Sequence, residues 1–335
     1  MDSKTSYTNL TVTSSPHLVT KLDTQKTMMM VLIALVPSFA MSIYVFGYTS
    51  IILMAVCILS CVFFEWAYEK LMHRPSTVSD LSACVTGAIL ACNLPANFPI
   101  WMAIIGCFAS IVIVKQIFGG IGRNFANPAI VGRIVLLLSF TTQMTTWPTV
   151  HSSGYDATTG ATPLGQLQEG TLKVVPLKDE FLGLVGGSMG EISAIAILIG
   201  GCFLIWKKII SPIIPCTFIG TVFVFALIYY AIVGGVGDAN AFEMALFHVC
   251  AGGVMFGAFF CATDYVTSPT MKKGKFIFAV GCGAVTMIIR LWCQYPEGVS
   301  FAILFMNCLT PLIDKKVTES FYSKRYGGGA KKDEK

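Results

Sequence analysis

Ten apolar segments recur along this chain of 335 residues, and they constrain its fold more than any other feature. Only 12% of the residues are charged, against roughly 25% in an average soluble domain. Backbone groups in lipid must be hydrogen-bonded within a segment, and these segments lack the alternation of barrel strands, so membrane-spanning helices are predicted. The segments cover roughly residues 28–46, 51–68, 81–93, 98–116, 128–140, 192–206, 209–233, 242–263, 276–292 and 298–313.

Two of these segments, 81–93 and 128–140, are shorter than the ~20 residues that a simple membrane-spanning helix needs. The first of them ends at Asn93-Leu94-Pro95, and Pro99 follows within the link to the next segment. We therefore expect a broken or tilted helix there, buried by its neighbours so that its free backbone groups avoid lipid.

The basic residues predict which ends of the segments face the cytoplasm. With ten spans and a cytoplasmic N-terminus, 19 of the 23 Lys and Arg residues fall on the inside. Only Lys173 and Lys178 fall outside, while Arg133 and Arg290 lie within spans. This bias agrees with the positive-inside rule. It predicts that both termini are cytoplasmic and that the long loop, 141–190, lies on the other side of the membrane.

Five segments precede the long loop and five follow it, which predicts two inverted halves. A gapless offset of 170 residues aligns Gly87-Ala88 with Gly257-Ala258 and Pro99 with Pro269. The predicted fold is an all-α polytopic membrane protein of ten transmembrane helices, with short or interrupted helices and one long extracytoplasmic loop. Its parts are a cytoplasmic N-terminal segment (1–27), the first five-helix half (28–140), the loop (141–190), the second half (191–314) and a cytoplasmic tail (315–335).

The long loop contains a polar stretch of small residues, Asp156-Ala157-Thr158-Thr159-Gly160-Ala161-Thr162, followed by Pro163-Leu164. Thr162 offers a secondary hydroxyl that a phosphate can esterify. Gly160 and Ala161 leave space for a modifying enzyme, and Pro163 restricts the backbone beyond them. From residue chemistry alone the stretch is either a modification site or a Thr-rich polar turn.

This heptad resembles the flavinylation sequence found in the D subunits of bacterial Rnf complexes and in the homologous B subunits of Na⁺-translocating NADH:quinone reductases. The resemblance extends from about residue 25 to 315 and includes a glycine-rich stretch, Gly119-Gly120-Ile121-Gly122-Arg123-Asn124 with Asn127-Pro128-Ala129. It implies that FMN is attached through its phosphate to Thr162 by a flavin transferase outside the cytoplasm. It also implies that the transferase recognises a motif formed by Asp156, Thr159, Gly160 and Ala161.

The same resemblance implies a membrane subunit that relays electrons between ferredoxin and NAD⁺, coupled to Na⁺ or H⁺ transport, in a bacterial or archaeal cytoplasmic membrane. The partners would be the flavin and iron–sulfur subunits of the Rnf complex, and riboflavin would be a second, non-covalent flavin. The sequence contains no NAD site, so dehydrogenase chemistry is expected in a partner subunit. We assign no catalytic residue and no metal ligand to this chain. The bilayer is a predicted partner, and nucleic acid is not. The alternative is a ten-helix solute channel or transporter without a redox cofactor.

Charged residues within apolar segments are costly and usually paired or functional. Arg290 lies near the outer end of its segment, where it either faces the flavin or reaches water at the interface. We expect Arg133 to pair with an acid such as Asp80 or Asp264, and Glu65 to be solvated. The glycine-rich stretch is either a tight turn between helices or a contact for a cofactor or ion.

Overall fold

The computed structural model describes residues 23–148, 159–160, 162–171, 177–183, 185–234, 239–293, 295 and 297–326. The helices in these ranges follow the ten apolar segments. In the first half they are α1 (Thr24–Phe46), α2 (Tyr48–Leu71), α3 (Ser82–Cys92), α4 (Ile100–Gln116, of which Ala109–Gln116 is a π-helix) and α5 (Pro128–Ser139).

The long loop adds shorter elements, and the second half returns to long helices. The loop contains α6 (Thr141–Met144), β1 (Trp147–Pro148), β2 (Thr159–Gly160), α7 (Pro163–Gln168) and α8 (Leu177–Leu182). The second half contains α9 (Ala194–Trp206), α10 (Ile213–Val233), α11 (Ala241–Cys250), α12 (Val254–Cys261, ending in a π-helix from Gly257), α13 (Lys272–Trp292) and α14 (Val299–Tyr326).

Four of the described helices, α1, α2, α10 and α13, are long and apolar enough to cross a membrane, and the bent pair α11–α12 makes a fifth candidate span. Large apolar side chains point away from the protein: Leu59, Trp206 and Ile232 are 68%, 74% and 81% exposed. Water does not favour such surfaces, whereas lipid does. The chain is therefore a multi-pass membrane protein.

The helices pack in two similar sets. In the first, α2 packs against α3 and α4, and α4 packs against α5; in the second, α10 packs against α11 and α13, and α13 packs against α14. Contacts between α1 and α9 and between α5 and α14 join the two sets. Glycines allow the close approaches: a Cβ on Gly87 would lie 2.8 Å from the carbonyl oxygen of Cys57. Small residues serve membrane helix packing in this way.

The expected interruptions are present in both halves. Helix α3 has only 11 residues, and just beyond its end the side-chain amide of Asn93 donates to the carbonyl of Ile89 at 2.7 Å. The apolar segment 242–263 is broken into α11 and α12, which are bent by 59°. Gly252 lies at this break with a φ of +66°, a conformation that side chains other than glycine rarely adopt.

One feature departs from the predicted fold. Strands β1 and β2 form a short antiparallel ladder in the loop, with Trp147 opposite Gly160 and Pro148 opposite Thr159, so the chain is not entirely helical. Helix α14 continues past residue 314 to Tyr326, and the division of the chain into a second half and a cytoplasmic tail stays a prediction.

Candidate functional site around Thr162

Thr162 caps the N-terminus of α7. Its Oγ1 accepts a hydrogen bond from the backbone amide of Gly165 at 3.1 Å, and Pro163 occupies the first turn, where its missing amide hydrogen costs nothing. The side chain is buried, with 7% of Thr162 exposed. The cap uses an oxygen lone pair and leaves the hydroxyl hydrogen out of the bond. That hydrogen is the atom that esterification replaces.

Two residues of the predicted motif, Thr159 and Gly160, form strand β2 of the short ladder. Thr159 and Gly160 pair with Pro148 and Trp147, which follow α5 and α6 in the chain. Asp156 and Ala161 lie outside the described residues.

A cavity of about 300 Å³ opens beside Thr162. This volume is at the lower end of the ~300–1,000 Å³ range of small-molecule sites. Aromatic, cationic and polar side chains all contribute to its wall. They include Trp147, Tyr295, Arg133, Gln168, Glu297 and Ser300.

Arg133 lines this cavity together with Glu297, and it also binds a second carboxylate, Glu191. From the second turn of α5, its Nη1 donates to Asn93 Oδ1 at 2.9 Å and to Glu191 Oε1 at 3.0 Å. Its Nη2 donates to Glu297 Oε2. All of these groups are buried or nearly so: the side chains of Arg133, Glu191 and Glu297 are 5%, 3% and 15% exposed.

The prediction that Arg133 pairs with an acid is therefore confirmed, but the acids named for it, Asp80 and Asp264, are wrong. The reason is that the last residues of the long loop fold back into the bundle. The amides of Met189 and Gly190 donate to the carbonyls of Leu94 and Cys92 at 3.0 and 2.7 Å, which brings Glu191 against the broken end of α3. Sequence reasoning missed Glu191 and Glu297. A signal was available, since each carboxylate directly precedes a predicted apolar segment.

A much smaller cavity, about 20 Å³, lies on the other side of Thr162 and is lined by Glu180, Glu191 and Glu297. It has room for about one water molecule. The Glu191 Oε2 atom is buried and has no hydrogen-bond partner among the described residues. A Cβ on Gly253 would overlap Glu191 Oε1, so the break between α11 and α12 is packed directly against this carboxylate.

Two of these carboxyl groups have raised pKa values. Burial raises the pKa of Glu180 to about 8, although the Arg290 charge opposes this shift. Burial raises the pKa of Glu297 to about 7; the Arg133 charge opposes the shift, and the Glu191 charge adds to it.

Arg290 lies close to α7 and hydrogen-bonds backbone carbonyls at the break between α11 and α12. Its Nη1 donates to the carbonyl of His248 at 2.6 Å and its Nη2 to the carbonyl of Ala251 at 2.9 Å, which satisfies acceptors that the end of α11 leaves free. Arg290 is 5% exposed and lines a cavity of about 330 Å³ with Leu164 and Gln168 of α7. A role for Arg290 toward a flavin stays a prediction.

The opposite end of the bundle holds a second polar site. The expectation that Glu65 is solvated is wrong: it is fully buried, and the Lys115 ammonium lies 2.6 Å from its Oε1. A buried carboxylate is costly without a partner of opposite charge, and Lys115 is the partner of Glu65. In the glycine-rich stretch, Gly119, Gly120 and Gly122 all have positive φ. The stretch is therefore a tight turn, which is one of its two predicted interpretations.

Asn127 and Asn124 differ in what they contact. Asn127 Oδ1 caps α5 by accepting from the amide of Ala129 at 3.0 Å, and its Nδ2 donates to the carbonyl of Cys261 at 3.0 Å. Asn124 Oδ1 is buried without a partner among the described residues. Both residues line a cavity of about 320 Å³ at this end of the bundle.

Comparison with known proteins assigns the chain to a family. The model of the NQR2, RnfD, RnfE family matches residues 11–323. This chain belongs to that family. It is 47% identical over 317 residues to the D subunit of the Na⁺-translocating ferredoxin:NAD⁺ oxidoreductase complex of Acetobacterium woodii, covering 94% of this chain and 95% of that protein.

Two further relatives carry related names. The chain is 42% identical to the D subunit of the proton-translocating ferredoxin:NAD⁺ oxidoreductase complex of Clostridium ljungdahlii, covering 91% of this chain and 93% of the relative. It is 38% identical to the D subunit of the ion-translocating oxidoreductase complex of Stutzerimonas stutzeri, covering 90% and 92%. The chain thus matches nearly the whole length of these proteins.

Proposed function

We propose that this chain is the D subunit of an ion-translocating ferredoxin:NAD⁺ oxidoreductase complex and that it carries FMN as a phosphoester on Thr162. The observation that carries the proposal is that the last Thr of the heptad borders a cavity with an aromatic and cationic wall. The names of its relatives support the complex, and they favour it over a solute channel without a redox cofactor.

The residues around the cavity suit a flavin. Trp147 and Tyr295 are the aromatic side chains available to pack against the ring system. Arg133, Gln168 and Ser300 are polar groups available to its carbonyl and nitrogen edge. When bound, FMN accepts and releases electrons one or two at a time, and the protein supplies its position and its electrostatic surroundings. Attachment to Thr162 would keep the flavin on this side of the membrane.

Partner subunits complete the electron path in this proposal. Ferredoxin oxidation and NAD⁺ reduction would belong to Rnf subunits with iron–sulfur centres and flavins, and a flavin transferase would load Thr162. The relatives in A. woodii and C. ljungdahlii are named for Na⁺ and for protons respectively. The proposal therefore includes either ion.

The sidedness of the chain is part of the proposal. The Thr162 site is at the end of the bundle where α5 finishes and α9 begins. Among the described residues, Lys178 is the basic residue of the loop at this end, whereas Lys207, Lys208, Lys272 and Lys273 lie at the opposite end of α9 and α13. This distribution supports cytoplasmic termini, ten spans and an extracytoplasmic Thr162. The two similar helix sets support inverted halves.

A second flavin, riboflavin, would bind without a covalent bond. The cavity of about 320 Å³ at the end opposite Thr162 has suitable walls, since Phe259, Phe260 and Tyr265 contribute aromatic surface and Asn124 contributes a buried oxygen that has no partner among the described residues. The residue identities and the volume support this choice over the lipid-facing surface.

The test of the proposal is flavin fluorescence of the denatured protein, because only a covalent flavin survives denaturation. The chain from cells that contain the transferase should fluoresce in a denaturing gel, and Thr162→Ala should abolish the signal. Thr171→Ala, which alters an exposed threonine of the same loop, is the matched control and should keep it. A dark wild-type band would refute covalent FMN, and a fluorescent Thr162→Ala variant would refute the choice of residue.

A further inference from the structure

The group around Arg133 has more negative than positive side chains. Arg133 is shared by Glu191 and Glu297, so the trio has one negative charge in excess when both acids are ionised. Arg290 interacts electrostatically with Glu191, Glu297 and Glu180, so the five groups together still carry one negative charge in excess when all three acids are ionised. A buried excess charge is costly, and a carboxyl group in this situation takes up a proton instead.

Glu297 is the member of the group that can exchange such a proton. It lines both the 300 Å³ cavity and the small cavity, as Thr162 does. Its side chain is 15% exposed, while that of Glu191 is 3% exposed and packed against Gly253. Glu180 lines the small cavity but not the larger one.

We propose that Glu297 holds an exchangeable proton for the flavin that Thr162 carries, that the neighbouring Glu191 favours the protonated form between electron transfers, and that Arg133 holds the carboxyl group in position. The inference rests on the proposed function. Glu297 lies outside the heptad. In this proposal, protons enter the electron path through Glu297 at the Thr162 site.

FMN, when bound, would supply a ring nitrogen that takes up a proton for an electron received from a one-electron iron–sulfur donor in a partner protein. Glu297 would give this proton by breaking the O–H bond of its neutral carboxyl group. The carboxylate left behind would keep its hydrogen bond from Arg133 and would regain a proton from water on the Thr162 side.

The titration of Glu297 depends on every charged group that faces it. Arg133 donates to it directly, Glu191 shares that arginine, and Arg290 lies across the break between α11 and α12. The opposing effects leave the pKa of Glu297 at about 7. A group exchanges protons most effectively when its pKa is close to the working pH.

The first measurement needs no flavin. In a chain with Thr162→Ala and with Glu180→Gln, which removes the other carboxyl group of raised pKa, infrared spectroscopy should detect a protonated carboxyl band at about pH 6 that is lost by about pH 8. The band should be missing when Glu297→Gln is added and should remain with Asp179→Asn, which removes an exposed carboxylate from the same end of the protein. If no carboxyl band titrates in this range, the inference is overturned, whether or not flavin attaches elsewhere.

The second measurement uses the flavin-loaded complex. The midpoint potential of the covalent flavin should fall with rising pH in the wild type, and Glu297→Gln should flatten this dependence near neutral pH. Glu297→Gln should also slow flavin reduction by about 100-fold, the scale of a lost general acid. Glu297→Asp should recover part of both effects, and Asp179→Asn should change neither.

The outcomes separate the two proposals. A titrating Glu297 band in a chain that never acquires flavin refutes the proposed function and leaves the proton-holding carboxyl in place. A flavin whose potential keeps its pH dependence in a folded Glu297→Gln variant refutes the inference alone.

Discussion

At the scale of single residues, the burial of Thr162 sets a condition on its modification. Thr162 is only 7% exposed, and its Oγ1 accepts a hydrogen bond from the Gly165 amide. An enzyme that esterifies Thr162 must reach this oxygen. The proposed transferase therefore acts while α7 is displaced from the bundle or before it packs. The ester oxygen of the product can still accept from Gly165, so the cap of α7 survives the modification.

Glu180 provides a prediction about stability and pH. Its pKa of about 8 in the folded protein lies above the value of about 4.3 in an unfolded chain, so between these pH values the folded state holds more protons. Stability is thus greatest at low pH and falls as the pH rises toward 8, by at most about 1.4 kcal/mol per pH unit from this group. Glu180→Gln should reduce the decline and leave the part that comes from Glu297. Thermal unfolding in detergent at about pH 5.5 and pH 8 measures it.

The matched control for Glu180→Gln is Asp179→Asn, the neighbouring exposed acid on α8. It should keep the wild-type decline of the unfolding temperature with pH. An equal decline in wild type and Glu180→Gln would contradict the assignment of the effect to Glu180.

At the scale of the elements, the apolar segments predicted the helices well, because in lipid the backbone amides and carbonyls of a segment must hydrogen-bond within that segment. The break in the segment 81–93 was visible at Asn93 and Pro95, and the break after α11 agrees with the expectation of an interrupted third segment. Pairs that join distant segments were not visible: Lys115 meets Glu65 across 50 residues, and Arg133 meets Glu297 across 164. Such pairs depend on helix packing, which no local pattern encodes.

The break between α11 and α12 gives a prediction at the same scale. Gly253→Ala would place a Cβ against Glu191 Oε1 and push this carboxylate away from Arg133. We expect a loss of about 1–3 kcal/mol, the usual cost of overpacking. Gly220→Ala on α10 is the control, because its Cβ would meet nothing within 4 Å and alanine favours the helix. Unfolding of the two variants in detergent compares them, and equal stability would show that Glu191 can move freely.

At the scale of the whole molecule, the two ends of the bundle differ in chemistry. One end brings together Thr162, three carboxylates and two arginines, and the other carries most of the lysines together with the Glu65–Lys115 pair. This asymmetry is what a protein needs if a covalent cofactor is loaded on one side of a membrane and partners meet it on the other. The difference can be tested because thiols lie at known places along the helices.

Cys293 tests the sidedness directly. It is an exposed thiol at the C-terminal end of α13, and its carbonyl accepts from Gln168 of α7, so it reports on the side that holds Thr162. The other exposed thiols, Cys202, Cys216 and Cys308, lie along helices that face lipid. A membrane-impermeant maleimide should therefore label intact cells at Cys293, and Cys293→Ser should abolish the label. In that background Lys273→Cys, at the opposite end, should react only in inside-out vesicles. The reverse pattern would place Thr162 in the cytoplasm, away from the proposed transferase.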